Sequence, residues 1–256
     1  MELATLLPLI PVGLLVGILI GCIGIGGVLL VPSLVYVGGM DVHIAIASCM
    51  FSYLFSGTIG AIEFAKRRSI RWSMCGWLFA GAMPGAYLGA LGLPLIPGIV
   101  LELLVTCLIL FVGVYALRED RAQGSQSIEL SNIRLVAIGL LTGIGSALSG
   151  TGGPLLLVPI LVWLHVPVLT AVGLSQVVQL PVAALASVGN FMHGSIDFAV
   201  GAGVAVLLMI GVALGARLAH NVSAATLKRM VAVALLAVGA LLLARFGYQS
   251  LWIGVR

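Results

Sequence analysis

The chain has 256 residues, of which 61% are hydrophobic and 8% charged, and its formal net charge is +4. With a mean hydropathy of +1.26, this composition excludes an ordinary soluble domain and predicts an all-α polytopic membrane protein. The basic residues stand between apolar segments, so they indicate orientation in a lipid bilayer and not nucleic-acid binding. The start, Met1-Glu2-Leu3, has no basic region, and we therefore expect no cleaved signal peptide.

Eight apolar segments reach the roughly 20 residues that cross a bilayer. Six have the length of one span: 44–64, 73–93, 97–117, 170–191, 198–219 and 224–244. Two are longer, 5–37 and 133–164, and each contains a cluster of glycines. The four cysteines lie inside these segments without metal-ligand spacing, which predicts small packing residues and no metal or other cofactor.

The glycine clusters are the strongest local signal in the chain. They are Gly24-Ile25-Gly26-Gly27 and Gly150-Thr151-Gly152-Gly153-Pro154. Consecutive glycines followed by proline predict a break in the helix inside the bilayer, where no water satisfies the freed backbone groups. Such a break is typical of a binding site. The other glycines, spaced by four, predict close helix contacts.

The two clusters belong to an internal repeat with a constant offset of 126 residues. Gly26 corresponds to Gly152, Ser69 to Ser195, Gly85 to Gly211, and Gly89 to Gly215. The spacing predicts a first transmembrane repeat over 1–117, a linker over 118–132 and a second repeat over 133–256.

Loop charge predicts that the two repeats have opposite orientations. The loop 65–72 is rich in Lys and Arg and is expected in the cytoplasm, whereas the corresponding segment 193–197 has neither residue. Opposite bias in equivalent loops is the pattern of an inverted repeat. Each repeat is then a re-entrant, glycine-broken helical hairpin plus three transmembrane helices, with both termini outside. The alternative, in which 5–37 and 133–164 are single kinked spans, stays open.

The order Thr151-Gly152-Gly153-Pro154 resembles a helix start, and Gly26-Gly27 begins the equivalent segment of the first repeat. Two half-helices that start inside the bilayer direct backbone N–H groups and partial positive charge at one region. No Lys or Arg occupies a predicted mid-membrane position. The arrangement therefore predicts a site for a small anion.

Polar residues on the neighbouring segments are candidates for the wall of this site. Ser48, Ser52 and Ser56 recur every four residues, and the partner segment carries Ser175, Gln176, Gln179, Ser187 and Asn190. The predicted substrate-binding set is Gly24, Gly26, Gly27, Ser48, Ser52, Gly150, Thr151, Gly152, Gly153, Ser175, Gln176 and Gln179. The alternative is that these hydroxyls and amides hold helices together.

The paired glycine motifs, the Ser69-Ile70-Arg71-Trp72 and Ser195-Ile196-Asp197-Phe198 counterparts and the two-half layout resemble the sulfite exporter family named after TauE and SafE, also called the toluene-sulfonate uptake permeases. The resemblance extends from Leu6 to Arg245. It implies movement of sulfur-containing oxyanions or organosulfonates across the bacterial cytoplasmic membrane. It leaves the individual anion and the direction open.

The expected function is secondary transport of such an anion by alternating access. A passive anion channel shares the same sequence features. An intramembrane enzyme is a weaker alternative, because Ser175 lacks the second glycine of a Gly-x-Ser-x-Gly motif and the sequence has no His-Glu-x-x-His. The expected partners are the substrate and the lipid bilayer, and the Gly-x-x-x-Gly faces would permit a homodimer.

Overall fold

The computed structural model describes residues 9–24, 27–117, 130–164, 166–192 and 196–219, and the single positions 233, 236, 239, 240, 243 and 244. Throughout these residues the regular secondary structure is helical. The helices are α1 Leu9–Ile23, α2 Leu30–Tyr36, α3 Val42–Lys66, α4 Trp72–Gly92, α5 Gly98–Leu117, α6 Asn132–Ser149, α7 Pro154–Trp163, α8 Val168–Met192 and α9 Phe198–Leu218. Short 3-10 turns, Gly27–Leu29 and Leu93–Leu95, precede α2 and follow α4.

Five predicted spans are confirmed as helices, α3, α4, α5, α8 and α9, with ends within a few residues of the expected positions. Both long apolar segments are interrupted at their glycine clusters, which separate α1 from α2 and α6 from α7. The predicted span 224–244 lies outside the described residues apart from six single positions. The same holds for most of the linker 118–132 and for both termini.

Among the residues that the structure describes, five helices are long and apolar enough to cross a membrane: α3, α4 with its following 3-10 turn, α6, α8 and α9. Within α4 and α8, Pro84 and Pro181 are accommodated without ending the helix. Such prolines are tolerated in membrane helices because neighbouring groups satisfy the backbone acceptor that proline leaves free.

Two helices of each repeat have the same bounds once the offset of 126 is applied, and α1 and α6 end at equivalent residues, Ile23 and Ser149. Helix α3 corresponds to α8 and α4 to α9 at both ends. The main packing pairs correspond as well, since α4 lies along α6 and α9 lies along α1. Each of these pairs joins one repeat to the other, so neither repeat packs as a separate body.

Glycines bring the paired helices into backbone contact. A Cβ on Gly17 of α1 would lie 2.9 Å from the Cα of Gly211 on α9, and Gly85 of α4 lies against the carbonyl of Leu140 on α6. Because lipid chains are as apolar as the helix surfaces, such close packing carries much of the association energy in a bilayer.

The order of contacts gives the direction of each helix. Along α3 and α8, Gly57 faces Gln179 and Gly60 faces Gln176, so these two helices are antiparallel. Along α4 and α8, Gly173 approaches Ser69 and Gly189 approaches Ala90, so these two are parallel. By the same reading α6 runs parallel to α4, and α1 runs parallel to α9.

Candidate functional site

The two glycine breaks lie against each other at the centre of the helix bundle. A Cβ on Gly27 would lie 2.7 Å from the carbonyl oxygen of Thr151, and a Cβ on Gly24 would lie 3.3 Å from the Cβ of Pro154. The sequence predicts such a shared region. Of the predicted set, Gly26 lies outside the described residues.

Both breaks begin with the same left-handed turn. Gly24 ends α1 with a φ of 74°, and its N–H donates to the carbonyl of Ile20 at 2.9 Å. Gly150 ends α6 with a φ of 66°, and the N–H of Thr151 donates back to the carbonyl of Ser146 at 3.3 Å. This geometry favours glycine because a side chain would crowd the following carbonyl.

In the second break Gly152 and Gly153 also have positive φ values, 77° and 110°, whereas Thr151 before them does not. Helix α7 then starts with Pro154 as its first residue, and Gly153 at its N-cap provides no side-chain hydrogen bond. Proline lacks an N–H, and the next backbone N–H groups of a helix start have no partner within the helix. The positive end of α7 therefore begins in the middle of the protein.

Tyr53 of α3 joins the two breaks. Its hydroxyl donates to the carbonyl of Gly27 at 2.8 Å. Its ring packs against Gly152 so closely that a Cβ added to this glycine would lie 2.6 Å from Cδ2 of the tyrosine. The side chain is completely buried. Sequence reasoning missed this residue, although a tyrosine in the middle of an apolar span requires a partner for its hydroxyl.

The serine and threonine hydroxyls at the second break divide into paired and unpaired groups. Ser149 and Thr151 share a hydrogen bond of 2.9 Å between their hydroxyl oxygens. The Oγ of Ser146 is fully buried and has no partner among the described residues, and it lies 3.9 Å from the Cβ position of Gly153. Ser146 therefore presents a free hydroxyl beside the start of α7.

Helix α8 brings its predicted polar residues to the same region. Gln176 Nε2 donates to the carbonyl of Ile20 at 2.9 Å, which connects α8 to the last turn of α1. Gln179 Nε2 donates to the carbonyl of Tyr53 at 2.9 Å and to Ser56 Oγ at 3.2 Å. The Oγ of Ser175 donates to its own helix at Val172 and lies 3.3 Å from the Cβ position of Gly24.

Ser48 and Ser52 face a different neighbour, the start of α9. Ser48 Oγ accepts from the N–H of Asp197 at 3.0 Å, and Ser52 Oγ donates to the carbonyl of Gly201 at 2.7 Å. The structure thus brings Gly24, Gly27, Ser175, Gln176, Gln179 and the residues 150–153 together at the breaks, with Ser48 and Ser52 at a helix contact beside them.

No group of three or more His, Cys, Asp or Glu side chains is placed to hold a metal ion within the part of the chain that the structure describes. The polar atoms at the breaks are hydroxyls, side-chain amides and backbone groups. Hydroxyl, side-chain amide N–H and backbone N–H groups can donate hydrogen bonds to an acceptor such as an oxyanion.

Several apolar spans and two broken helices that meet at a polar centre define a multi-pass helical membrane protein of the transporter class. The model of the sulfite exporter TauE/SafE family matches residues 9–242. The chain belongs to this family and is a membrane transporter.

Relatives in distant organisms support the same class over most of the chain. A "Probable membrane transporter protein" of Xylella fastidiosa (strain 9a5c) is 30% identical over 232 residues, which is 88% of both chains. The "Probable membrane transporter protein YdhB" of Bacillus subtilis is 25% identical over 238 residues, or 90% of this chain and 96% of that protein. A Methanocaldococcus jannaschii relative, "Probable membrane transporter protein MJ0441", is 29% identical over 182 residues, 68% of each chain. No solved structure matches significantly.

Proposed function

We propose that this protein is a secondary transporter that moves a sulfite-like oxyanion or an organosulfonate across the cytoplasmic membrane by alternating access. The observation that carries the proposal is the meeting of the two breaks at the start of α7, where the buried Ser146 hydroxyl lies without a partner. The family name supports a sulfur oxyanion as the substrate class.

The proposed binding groups are donors. Backbone N–H groups of the first turn of α7 and the hydroxyl of Ser146 converge beside Gly153. An anion with several oxygens accepts such hydrogen bonds, and the partial positive charge of the helix start stabilises it in a low-dielectric environment. Thr151, Ser175, Gln176 and Gln179 complete the proposed wall.

We further propose that the two repeats are inverted. The antiparallel course of the equivalent helices α3 and α8 supports this, because a two-fold axis that relates antiparallel spans lies in the membrane plane. Helix α1 runs with α9 toward the breaks, and only five residues separate the end of α2 from α3. This course favours a hairpin that returns to the side from which it entered.

Alternating access requires two arrangements of the repeats around one site. Each main helix pair, α4 with α6 and α1 with α9, joins the two repeats through glycine contacts. A change in the relative tilt of these two pairs would expose the breaks first to one side and then to the other. Because the loop 65–72 is rich in Lys and Arg, we place its side of the membrane in the cytoplasm in this proposal.

The direct test is anion flux in proteoliposomes loaded with sulfite, thiosulfate or sulfoacetate. We expect saturable flux for at least one of them. In Ser146→Ala we expect the half-saturating concentration to rise about tenfold, because the variant loses one hydrogen bond to a charged ligand. Ser33→Ala is the matched control, because that hydroxyl already donates to the carbonyl of Leu29 in the 3-10 turn before α2. Parental flux of every anion by Ser146→Ala would contradict the site, and non-saturable conductance would favour a channel.

A further inference from the structure

Buried side-chain polar atoms without hydrogen-bond partners are confined to two helices among the described residues. They are Thr142 Oγ1 and Ser146 Oγ on α6, and Gln176 Oε1, Ser187 Oγ and Asn190 Nδ2 on α8. Native proteins leave few such groups unpaired, because each one loses its hydrogen bonds to water and gains none in return. Both helices belong to the second repeat.

The atoms on α6 form a stripe that leads away from the breaks. Thr142, Ser146 and Ser149 are separated by four and three residues, so they lie on one face of the helix. Thr142 is completely buried, like Ser146, and it lies about one turn, ~6 Å, nearer the start of α6. The stripe therefore extends the polar surface of the second break by one turn.

The atoms on α8 continue the polar surface in the opposite direction. At about 100° per residue, Ser187 and Asn190 lie within about 80° of the face that carries Gln179. Asn190 is about 16 Å farther along the axis than Gln179, and it is buried. Because α6 and α8 both run parallel to α4, Thr142 precedes the breaks on the side of the loop 67–71, and Asn190 follows them on the other side.

The first repeat has apolar residues at the positions equivalent to these four, although the described helices of the two repeats are equivalent. At the offset of 126, Val16 and Ile20 correspond to Thr142 and Ser146, while Ala61 and Phe64 correspond to Ser187 and Asn190. Packing in the first repeat is thus achieved with apolar side chains at these positions. Equivalent helices therefore form in the first repeat without polar side chains at these positions.

We propose that the substrate passes along the second repeat only, with Thr142 as a transient oxyanion contact on the side of the loop 67–71 and the pair Ser187 and Asn190 as the contact on the opposite side. Apart from Gln176 Oε1, the unpaired atoms are three hydroxyls and one amide nitrogen, and each of these four can donate a hydrogen bond to an anion. An anion that leaves the breaks in either direction meets a donor within a few turns. The proposal rests on the anion transport proposed above.

The first test is flux in variants that remove one contact at a time. Thr142→Val and Asn190→Leu are expected to lower sulfoacetate or sulfite flux about fivefold to tenfold, because each variant loses one hydrogen bond to the anion. Thr58→Val is the control for the first variant, since Thr58 is exposed and donates to Leu54 of its own helix. Asn132→Leu at the exposed start of α6 is the control for the second. Unchanged flux in both test variants would overturn the route.

The second test reads the route without transport. In a chain whose four cysteines are replaced by alanine, Thr142→Cys and Ser187→Cys are labelled with a membrane-impermeant maleimide added to one face of sealed vesicles at a time. We expect the two thiols to react from opposite faces, and sulfoacetate to slow both reactions. Reaction from the same face, or from neither, would overturn the proposal. Absence of anion flux in the parent chain would instead refute the proposed function, whatever the labelling shows.

Discussion

The two repeats of this protein share a backbone and differ in the chemistry of their central residues. Helices α3 and α8 begin and end at equivalent positions, and the left-handed glycines Gly24 and Gly150 are equivalent as well. Yet Ile20 and Ile23 before the first break stand where the second repeat has Ser146 and Ser149. Geometry has been retained in both copies, and polarity has been concentrated in one.

The difference separates two requirements that act on the same helices. Glycines at the helix crossings are present in both repeats because each crossing brings backbone atoms together. Donor groups are needed only where a ligand accepts hydrogen bonds, and one polar face is sufficient for a small anion. The buried hydroxyls of α3 in the first repeat already have partners: Tyr53 donates to Gly27, Ser52 donates to Gly201, and Ser48 accepts from Asp197.

The largest expected effect is at the second break. Gly152→Ala adds a Cβ 2.6 Å from Cδ2 of Tyr53 at a φ of 77°, and backbone strain plus overpacking costs about 2–5 kcal/mol. We expect flux to fall by about 100-fold or more, because the start of α7 moves. The matched control is Gly203→Ala on α9, where a Cβ meets nothing within 4 Å. Equal flux in the two variants would show that this break has no special role.

Equivalent glycines at the helix crossings are expected to respond equally. Gly85→Ile presses on the carbonyl of Leu140, and Gly211→Ile places a Cβ 2.6 Å from the carbonyl of Leu14. Overpacking typically costs about 1–3 kcal/mol, so both variants should lower the melting temperature in detergent by a similar amount. Gly76→Ile, with open space around it, is the control. A large loss in one variant alone would break the equivalence of the repeats.

A smaller effect is expected at the link between the breaks. Tyr53→Phe leaves the carbonyl of Gly27 without its donor, at a cost of about 1 kcal/mol. Flux should fall about fivefold, since the two breaks are no longer held together. Tyr87→Phe on α4, where the ring is partly exposed, serves as the control. Parental flux and melting temperature in Tyr53→Phe would remove this residue from the site.

The smallest effect separates binding from helix packing. Ser52→Ala removes the hydrogen bond to Gly201, and such bonds between membrane helices average about 0.6 kcal/mol. We expect flux within about twofold of the parent and a slightly lower melting temperature. If flux instead falls as far as in Ser146→Ala, Ser52 belongs to the binding site, as its position in the sequence predicts.

Much of the fold could be predicted from the sequence because the relevant signals are local. Hydropathy locates spans such as α8, and consecutive glycines locate the interruption between α6 and α7. The region where the breaks meet follows from repeat symmetry. The sequence analysis missed Ser146, because the four- and three-residue spacing of Thr142, Ser146 and Ser149 marks one helix face without showing what that face contacts.

The sequence by itself determined the membrane class, the family, the two helix breaks and the register of the repeat, since these depend on composition, spacing and residues with special backbone behaviour. Tertiary structure alone decided which polar groups meet at the breaks. It placed Tyr53 between them and Ser52 against α9. The physical reason is that lipid and neighbouring helices are equally apolar, so hydrophobic periodicity in a membrane helix does not reveal which side faces a partner.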